Sequence, residues 1–223
     1  MHWESQQLQS LTQGRWTGSA LRGPITGFCL DSRRIKPGDC FLALKGAQTD
    51  GHSFLEDARS RGAAAAWVEA VQPHVSLPQL EVPNVPDALQ KLARLHRQTF
   101  SGPVVGVTGS CGKTSTKDLI HTLLGPENTC ANWLNYNSTL GLPISLLQLS
   151  PQRHRYGVFE AGISSHWEMP ILADVLQPTH AVVTTVAPAH LAFLGSLEGV
   201  AQQKALLPQA ALKAGGKWPA PRV

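Results

Sequence analysis

Gly106-Val107-Thr108-Gly109-Ser110-Cys111-Gly112-Lys113-Thr114-Ser115 stands between a strand-like apolar run, Pro103 to Val107, and a helix-like segment bearing Leu119, Ile120, Leu123 and Leu124. Glycines in that position let the backbone wrap a phosphate, and free N–H groups at a helix start donate to it. Lys113 adds a cation for the β/γ-phosphates, and the Thr114 hydroxyl can ligate Mg²⁺. The strict Walker pattern asks for Gly at position 107, where Val107 stands. Gly-x-Gly-x-x-Gly also fails here, because the glycine spacing is broken. What remains is Thr-Gly-x-x-Gly-Lys-Thr, a string that average residue usage yields by chance in about one chain in 2,000 of this length. Thr108, Gly109, Ser110, Cys111, Gly112, Lys113, Thr114 and Ser115 are therefore the expected ATP-binding residues.

Outward from this loop, strand-like and helix-like segments alternate. Tyr156 to Glu160 leads into a helix around Glu168 to Leu176, and His180 to Val186 into a helix around Leu197 to Leu207. Apolar strands alternating with helices predict a mostly parallel sheet covered by helices. Ligands of such sheets bind outside the carboxyl ends of the strands. Glu160 closes the second strand, His190 lies past the third, and Lys204 sits on the helix after it. Glu160 and His190 are expected to share a crevice with Lys113 and Thr114, with the carboxylate and imidazole as Mg²⁺ ligands.

The first hundred residues read as a separate small α/β unit. Thr26 to Leu30 and Cys40 to Leu44 are strand-like, with turn chemistry at Pro37-Gly38-Asp39 between them. Ser53 and Glu56 have capping-box spacing ahead of Phe54, Leu55 and Ala58, with Gly62 as a stop. Ala63 to Val68 reads as a strand, and Pro86-Asp87 opens a helix with Leu89, Leu92, Ala93 and Leu95 on one side. A linker at Thr99 to Pro103 divides a domain of residues 1–100 from one of 101–207. Gly and Pro in 208–223 predict a poorly ordered tail.

Composition bounds the classes. The chain has 223 residues, 42% hydrophobic and 15% charged, enough to bury a core. Net charge is +4, but no basic run reaches five residues, so a nucleic-acid partner is not expected. No apolar stretch reaches membrane-spanning length, and the start lacks a secretory pattern, so the expected location is cytoplasmic without membrane insertion. Cys29, Cys40, Cys111 and Cys130 form no Cys-x-x-Cys pair and are expected as free thiols. No zinc spacing occurs among the nine histidines.

The phosphate loop, Glu160, Asn135-Tyr136-Asn137-Ser138-Thr139-Leu140-Gly141-Leu142-Pro143, and Ala189-His190-Leu191 followed by Gly195-Ser196 resemble the Mur ligases, ATP-dependent enzymes of peptidoglycan precursor synthesis. Gly-Lys-Thr-Ser-Thr-Lys-Asp at 112–118 and the Asn-x-Asn stretch are most similar to the branch that adds D-alanyl-D-alanine. Asp31-Ser32-Arg33, Pro37-Gly38-Asp39, Ala43-Leu44-Lys45-Gly46 and Asp50-Gly51-His52 resemble the family's UDP-sugar domain. The resemblance runs from about residue 25 to 207. It implies an N-terminal UDP-sugar-binding α/β domain followed by an incomplete P-loop-type, mostly parallel sheet domain.

For activity, the resemblance implies phosphorylation of the terminal carboxylate of UDP-N-acetylmuramoyl-tripeptide by ATP. The amine of D-Ala-D-Ala then attacks the acyl phosphate. Lys113, Lys204 and His190 would be catalytic. Thr114 and Glu160 would hold one Mg²⁺, and His190 a second together with a carbamylated Lys204. Ser32, Arg33, Lys45, Gly46 and Asn135 would contact the UDP-sugar substrate, and the family implies a monomer. The preceding amino-acid-adding ligase and a non-catalytic nucleotide or UDP-sugar binder are the alternatives. Ser138 and Thr139 replace the family's Asn and acidic residue, and His166-Trp167-Glu168 replaces a Gly-Glu pair. Only 19 residues follow Lys204, so a truncated chain, inactive alone, is expected.

Overall fold

A computed structural model describes residues 2–21 and 23–215. The chain divides into two units, Met1–Leu92 and Ala93–Val223. The division falls inside a helix, eight residues before the end of the domain expected from the linker at 99–103.

The first unit contains α1 (Ser5–Thr12), β1 (Arg15–Thr17), β2 (Gly27–Cys29), β3 (Asp39–Leu42), α2 (Leu55–Ser60), β4 (Ala65–Val68) and β5 (Gln79–Glu81). Its sheet runs β1-β5-β4-β3-β2, parallel except for β1, which pairs antiparallel with β5 at one edge. Strands β3 and β4 are buried almost throughout, as interior parallel strands must be. Trp67 is fully buried and packs edge-to-face on Phe28 with ring centroids 5.4 Å apart.

The capping box at Ser53 does not form. Asp50 accepts from His52 N at 2.9 Å, Ser53 Oγ donates to Asp50 O, and a 3-10 turn over Gly51–Phe54 precedes α2. Asp50 caps this earlier turn, and the Ser53 hydroxyl is spent donating to Asp50 O instead of accepting from the start of α2. Phe54 is consequently exposed rather than part of the helix face. Gly62 does stop the helix, at φ +94.

Helix α3 (Val85–Gln98) crosses from one unit into the other; Asn84 Oδ1 accepts from Asp87 N at its start. Its last turn belongs to the second unit because of two polar anchors. Arg97 donates to the carbonyls of Leu176, Gln177 and Phe100, and His96 Nε2 donates to Leu149 O at 2.7 Å.

The second unit continues with β6 (Val104–Thr108), α4 (Lys113–Leu124), β7 (Thr129–Ala131), α5 (Gly141–Leu146), β8 (Tyr156–Glu160), α6 (Glu168–Leu176), β9 (His180–Val183), α7 (Leu191–Leu194) and α8 (Leu197–Lys213). All pairings in its sheet, β7-β8-β6-β9, are parallel. Strand β7, too short to show a period in sequence, adds a fourth strand to the three expected. Helices α6 and α8 pack together over β6, where a Cβ on Gly106 would come within 3.1 Å of both Leu176 and Leu207.

Residues 208–213 are not a loose tail. Ser196 Oγ accepts from Gly199 N at 3.2 Å, and α8 runs on through Pro208 to Lys213. Proline removes one backbone donor, but Leu207, Pro208 and Ala211 are buried, and that burial outweighs the lost hydrogen bond. Positions 216–223 of the expected tail lie outside the described residues.

Candidate active site

The polar groups of the candidate site come from the segments after β6, β7, β8 and β9 and from helices α4 and α8. The loop from Thr108 to Gly112 leaves β6 and turns into α4. Gly109 sits at φ +151, and a Cβ there would overlap Thr184 Oγ1 on the segment after β9. Gly112 at φ +78 is the left-handed residue that starts the helix. Ser110 N donates to Thr185 O at 2.7 Å, and Ser110 Oγ both donates to Ala187 O and accepts from Ala187 N. Thr184 Oγ1 donates to Cys111 O at 2.5 Å. The loop is thus fixed by the strand beside it and does not depend on a ligand for its shape.

Lys113 Nζ folds back to donate to Gly109 O at 3.0 Å. The Thr108 hydroxyl is fully buried and has no hydrogen-bond partner. A buried hydroxyl left unmade at a loop of this shape fits a site whose remaining partner is the ligand.

Parallel register places Glu160 opposite Val107, so its side chain emerges beside the loop. Thr114 Oγ1 donates to Glu160 Oε2 and Asn137 Nδ2 to Glu160 Oε1, each at 2.7 Å. Asn132 clamps the backbone of the same residue: Glu160 N donates to its Oδ1, and its Nδ2 donates to Glu160 O, both at 2.9 Å. Lys117, buried in α4, donates to Asn132 O at 3.1 Å and holds that clamp. Glu160, 2% exposed, with its carboxylate held by Thr114 and Asn137 and its backbone by Asn132, is a rigid oxygen ligand for a hard cation.

Lys204 is buried on α8, and burial, then the charge of Lys113, lowers its pKa from 10.5 to about 8. His190 takes φ +53, its carbonyl accepts from Phe193 and Leu194 to start α7, and its side chain is exposed. Among the described residues no three His, Cys, Asp or Glu side chains gather as a metal-binding group. The structure therefore joins Thr114 to Glu160, and brings Lys113 near enough to Lys204 for its charge to be felt there, while His190 stands seven residues past the end of β9.

In the first unit, Ser32, Arg33 and Gly46 line a cavity of about 580 Å³ with Phe41, Thr49 and Asp57. Arg33 is held by Asp31, at 2.9 and 2.8 Å, and stays exposed. Lys45 bridges Asp50 through the backbone and does not line that cavity. In the second unit Asn135 and Asn137 line a cavity of their own, and Asn137 also reaches Glu160. Sequence reasoning passed over Asn132, Lys117 and Thr184. The Asn-rich stretch was the available signal for the first and the 112–118 motif for the second; a threonine in loop text gives none.

Two family descriptions match the chain: Mur ligase family, catalytic domain, over residues 24–97, and Mur ligase middle domain over residues 107–216. The chain belongs to the Mur ligase family. Curated relatives named UDP-N-acetylmuramoyl-tripeptide–D-alanyl-D-alanine ligase come from Synechocystis sp., 39% identical, Bacillus subtilis, 38%, and Escherichia coli, 36%. The matches cover 81%, 81% and 89% of this chain. The chain spans only 40%, 40% and 43% of those relatives. Among solved structures, MurF from Acinetobacter baumannii superposes with a TM-score of 0.84 at 33% identity, covering 93% of this chain and 46% of that one. The Thermotoga maritima MurF ligase in complex with ADP gives 0.70 at 33% identity, covering 84% and 44%. Mur ligases use ATP and Mg²⁺, and the loop, Thr114 and Glu160 are of the chemistry that holds them. No described helix is long and apolar enough to cross a membrane.

Proposed function

We propose that this chain carries the UDP-sugar unit and the nucleotide-binding part of a cytoplasmic ligase that joins D-Ala-D-Ala to UDP-N-acetylmuramoyl-tripeptide. The observation that carries the reading is the Thr114–Glu160–Asn137 cluster set against a pre-formed phosphate loop. ATP phosphates would lie on the N–H groups of residues 109–114, with Lys113 Nζ released from Gly109 O to meet them. Thr114 and Glu160 would hold Mg²⁺, which supplies charge stabilisation for phosphoryl transfer to the terminal carboxylate of the tripeptide. The cavity lined by Ser32, Arg33 and Gly46 would receive the UDP moiety.

Lys204 has the chemistry to carry a carbamate. With its pKa near 8, about a tenth of the amine is neutral and nucleophilic at pH 7, far more than for an ordinary lysine. Attack on CO₂ forms the N–C bond and releases one proton, replacing a cation with an anionic oxygen ligand. That anion would offset the Lys113 charge and, with His190, serve a second Mg²⁺.

ADP release is the test, measured with Mg²⁺, bicarbonate, ATP, UDP-N-acetylmuramoyl-tripeptide and D-Ala-D-Ala, omitting each substrate in turn. Release that requires all three supports the ligase reading for this chain alone. Mg²⁺-dependent ATP binding without release supports a nucleotide-binding part that needs the rest of the family's length. A folded chain that binds no ATP with or without Mg²⁺ overturns the reading.

A further inference from the structure

Along the open edge of β7 lies a cavity of about 870 Å³ whose lining also takes in Thr114, Asn132 and Asn137 of the site already described. Its lining includes Lys117, Asp118, His121, Thr129, Arg153 and His154. Lys117 and Asp118 are paired at 2.7 Å and neutralise each other. Arg153 has no carboxylate partner among the described residues and contributes a net positive charge. His154 Nδ1 accepts from Ser150 N at 3.0 Å, so the ring proton is on Nε2, free to donate. Burial, then the Arg153 charge, lowers the His154 pKa and keeps this ring neutral. Thr129 is 3% exposed, and its Oγ1 is buried without any hydrogen-bond partner.

A guanidinium, an imidazole N–H and an orphaned hydroxyl on one cavity share a single complement, an oxyanion. An unpartnered buried hydroxyl costs stability unless something satisfies it. No metal reading competes, because no three ligating side chains gather among the described residues.

We propose that the β7-edge cavity is a second binding site, taking a small molecule through a phosphate or carboxylate group held by Arg153, His154 and Thr129. The inference does not depend on the ligase reading. Thr114 also lines this cavity, so Lys113→Ala weakens the phosphate loop as a competing site, and the Arg153 and Thr129 variants, which leave the loop unchanged, assign the binding.

The full chain carrying Lys113→Ala is titrated by calorimetry with inorganic phosphate and, separately, with N-acetylglycine, at constant ionic strength. Saturable binding of one or both is expected, and the probe that binds more tightly tells phosphate ligands from carboxylate ligands. Adding Arg153→Gln, an exposed position, is expected to weaken binding by about tenfold or more. Adding Thr129→Val is expected to weaken it too, while thermal stability holds or rises, since the hydroxyl makes no internal bond. Absence of saturable binding of either probe overturns the proposal, as does unchanged affinity in either variant.

Discussion

Thr114 Oγ1 donates to Glu160 Oε2 at 2.7 Å, tying the first turn of the phosphate-loop helix to the carboxyl end of the neighbouring strand. The bond is the geometry that a shared cation would replace, with both oxygens turned to the metal. Glu160→Gln keeps the side chain's shape and an acceptor for Thr114 but removes the charge that attracts a hard cation. The variant is expected to stay folded. Its ATP affinity in Mg²⁺ should fall by about tenfold or more, while affinity in EDTA changes little. Fluorescent-nucleotide titration with and without Mg²⁺ measures this, and equal Mg²⁺ dependence in the two proteins would remove Glu160 from the cation site.

Gly109 is required by two independent features. Its φ of +151 is disfavoured for L side chains, and a Cβ would overlap Thr184 Oγ1, the hydroxyl that bonds Cys111 O. Gly109→Ala should therefore displace the segment after β9 and with it the loop. A stability loss on the order of 1–3 kcal/mol is expected from the strained backbone and the overlap. Urea denaturation followed by circular dichroism reads the loss, and ATP binding should be lost with it.

Cys111 is the exposed thiol of the loop, while Cys29, Cys40 and Cys130 are buried. Burial raises the pKa of all three, Cys130 to about 12, which suppresses their thiolates. In the folded chain a thiol reagent should therefore modify one cysteine quickly. Mg²⁺–ATP should slow that reaction in proportion to site occupancy. Mass spectrometry of a timed labelling reaction reads both effects, and labelling at Cys111 unaffected by saturating ATP would place the nucleotide elsewhere.

The elements legible in the sequence were those whose signal is local. Helix α6 was expected where it lies, and β6, β8 and the phosphate loop within a residue, because apolar runs and glycine punctuation report directly on backbone conformation. Strand β7 was missed because three residues carry no period, and its place is set by pairing with β8. The extension of α8 past Pro208 depends on burial of Leu207 and Ala211 in the fold, which the local proline signal opposes. The site divides the same way. Thr114 and Glu160 follow from strand-end logic, but the Asn132 clamp on the Glu160 backbone joins residues 28 positions apart, and only the folded chain brings them together.

Lys204 gives the pH behaviour of the second unit a definite sign. Its folded pKa, near 8, lies below the ordinary 10.5 because burial, then Lys113, opposes the charged form. Between those values the unfolded chain binds a proton that the folded chain has released, so stability rises with pH across this window. Below about pH 8 both states hold the proton and folding carries the full cost of a buried ammonium. Lys204→Met keeps the aliphatic stem and removes that cost. The variant is expected to be more stable than the native chain at pH 7 by on the order of 1–3 kcal/mol. The difference should shrink as pH approaches 10. Urea unfolding of both proteins at pH 7 and 9.5, without bicarbonate, measures it. A methionine variant less stable at pH 7 would mean that an anion already satisfies the ammonium in the folded state.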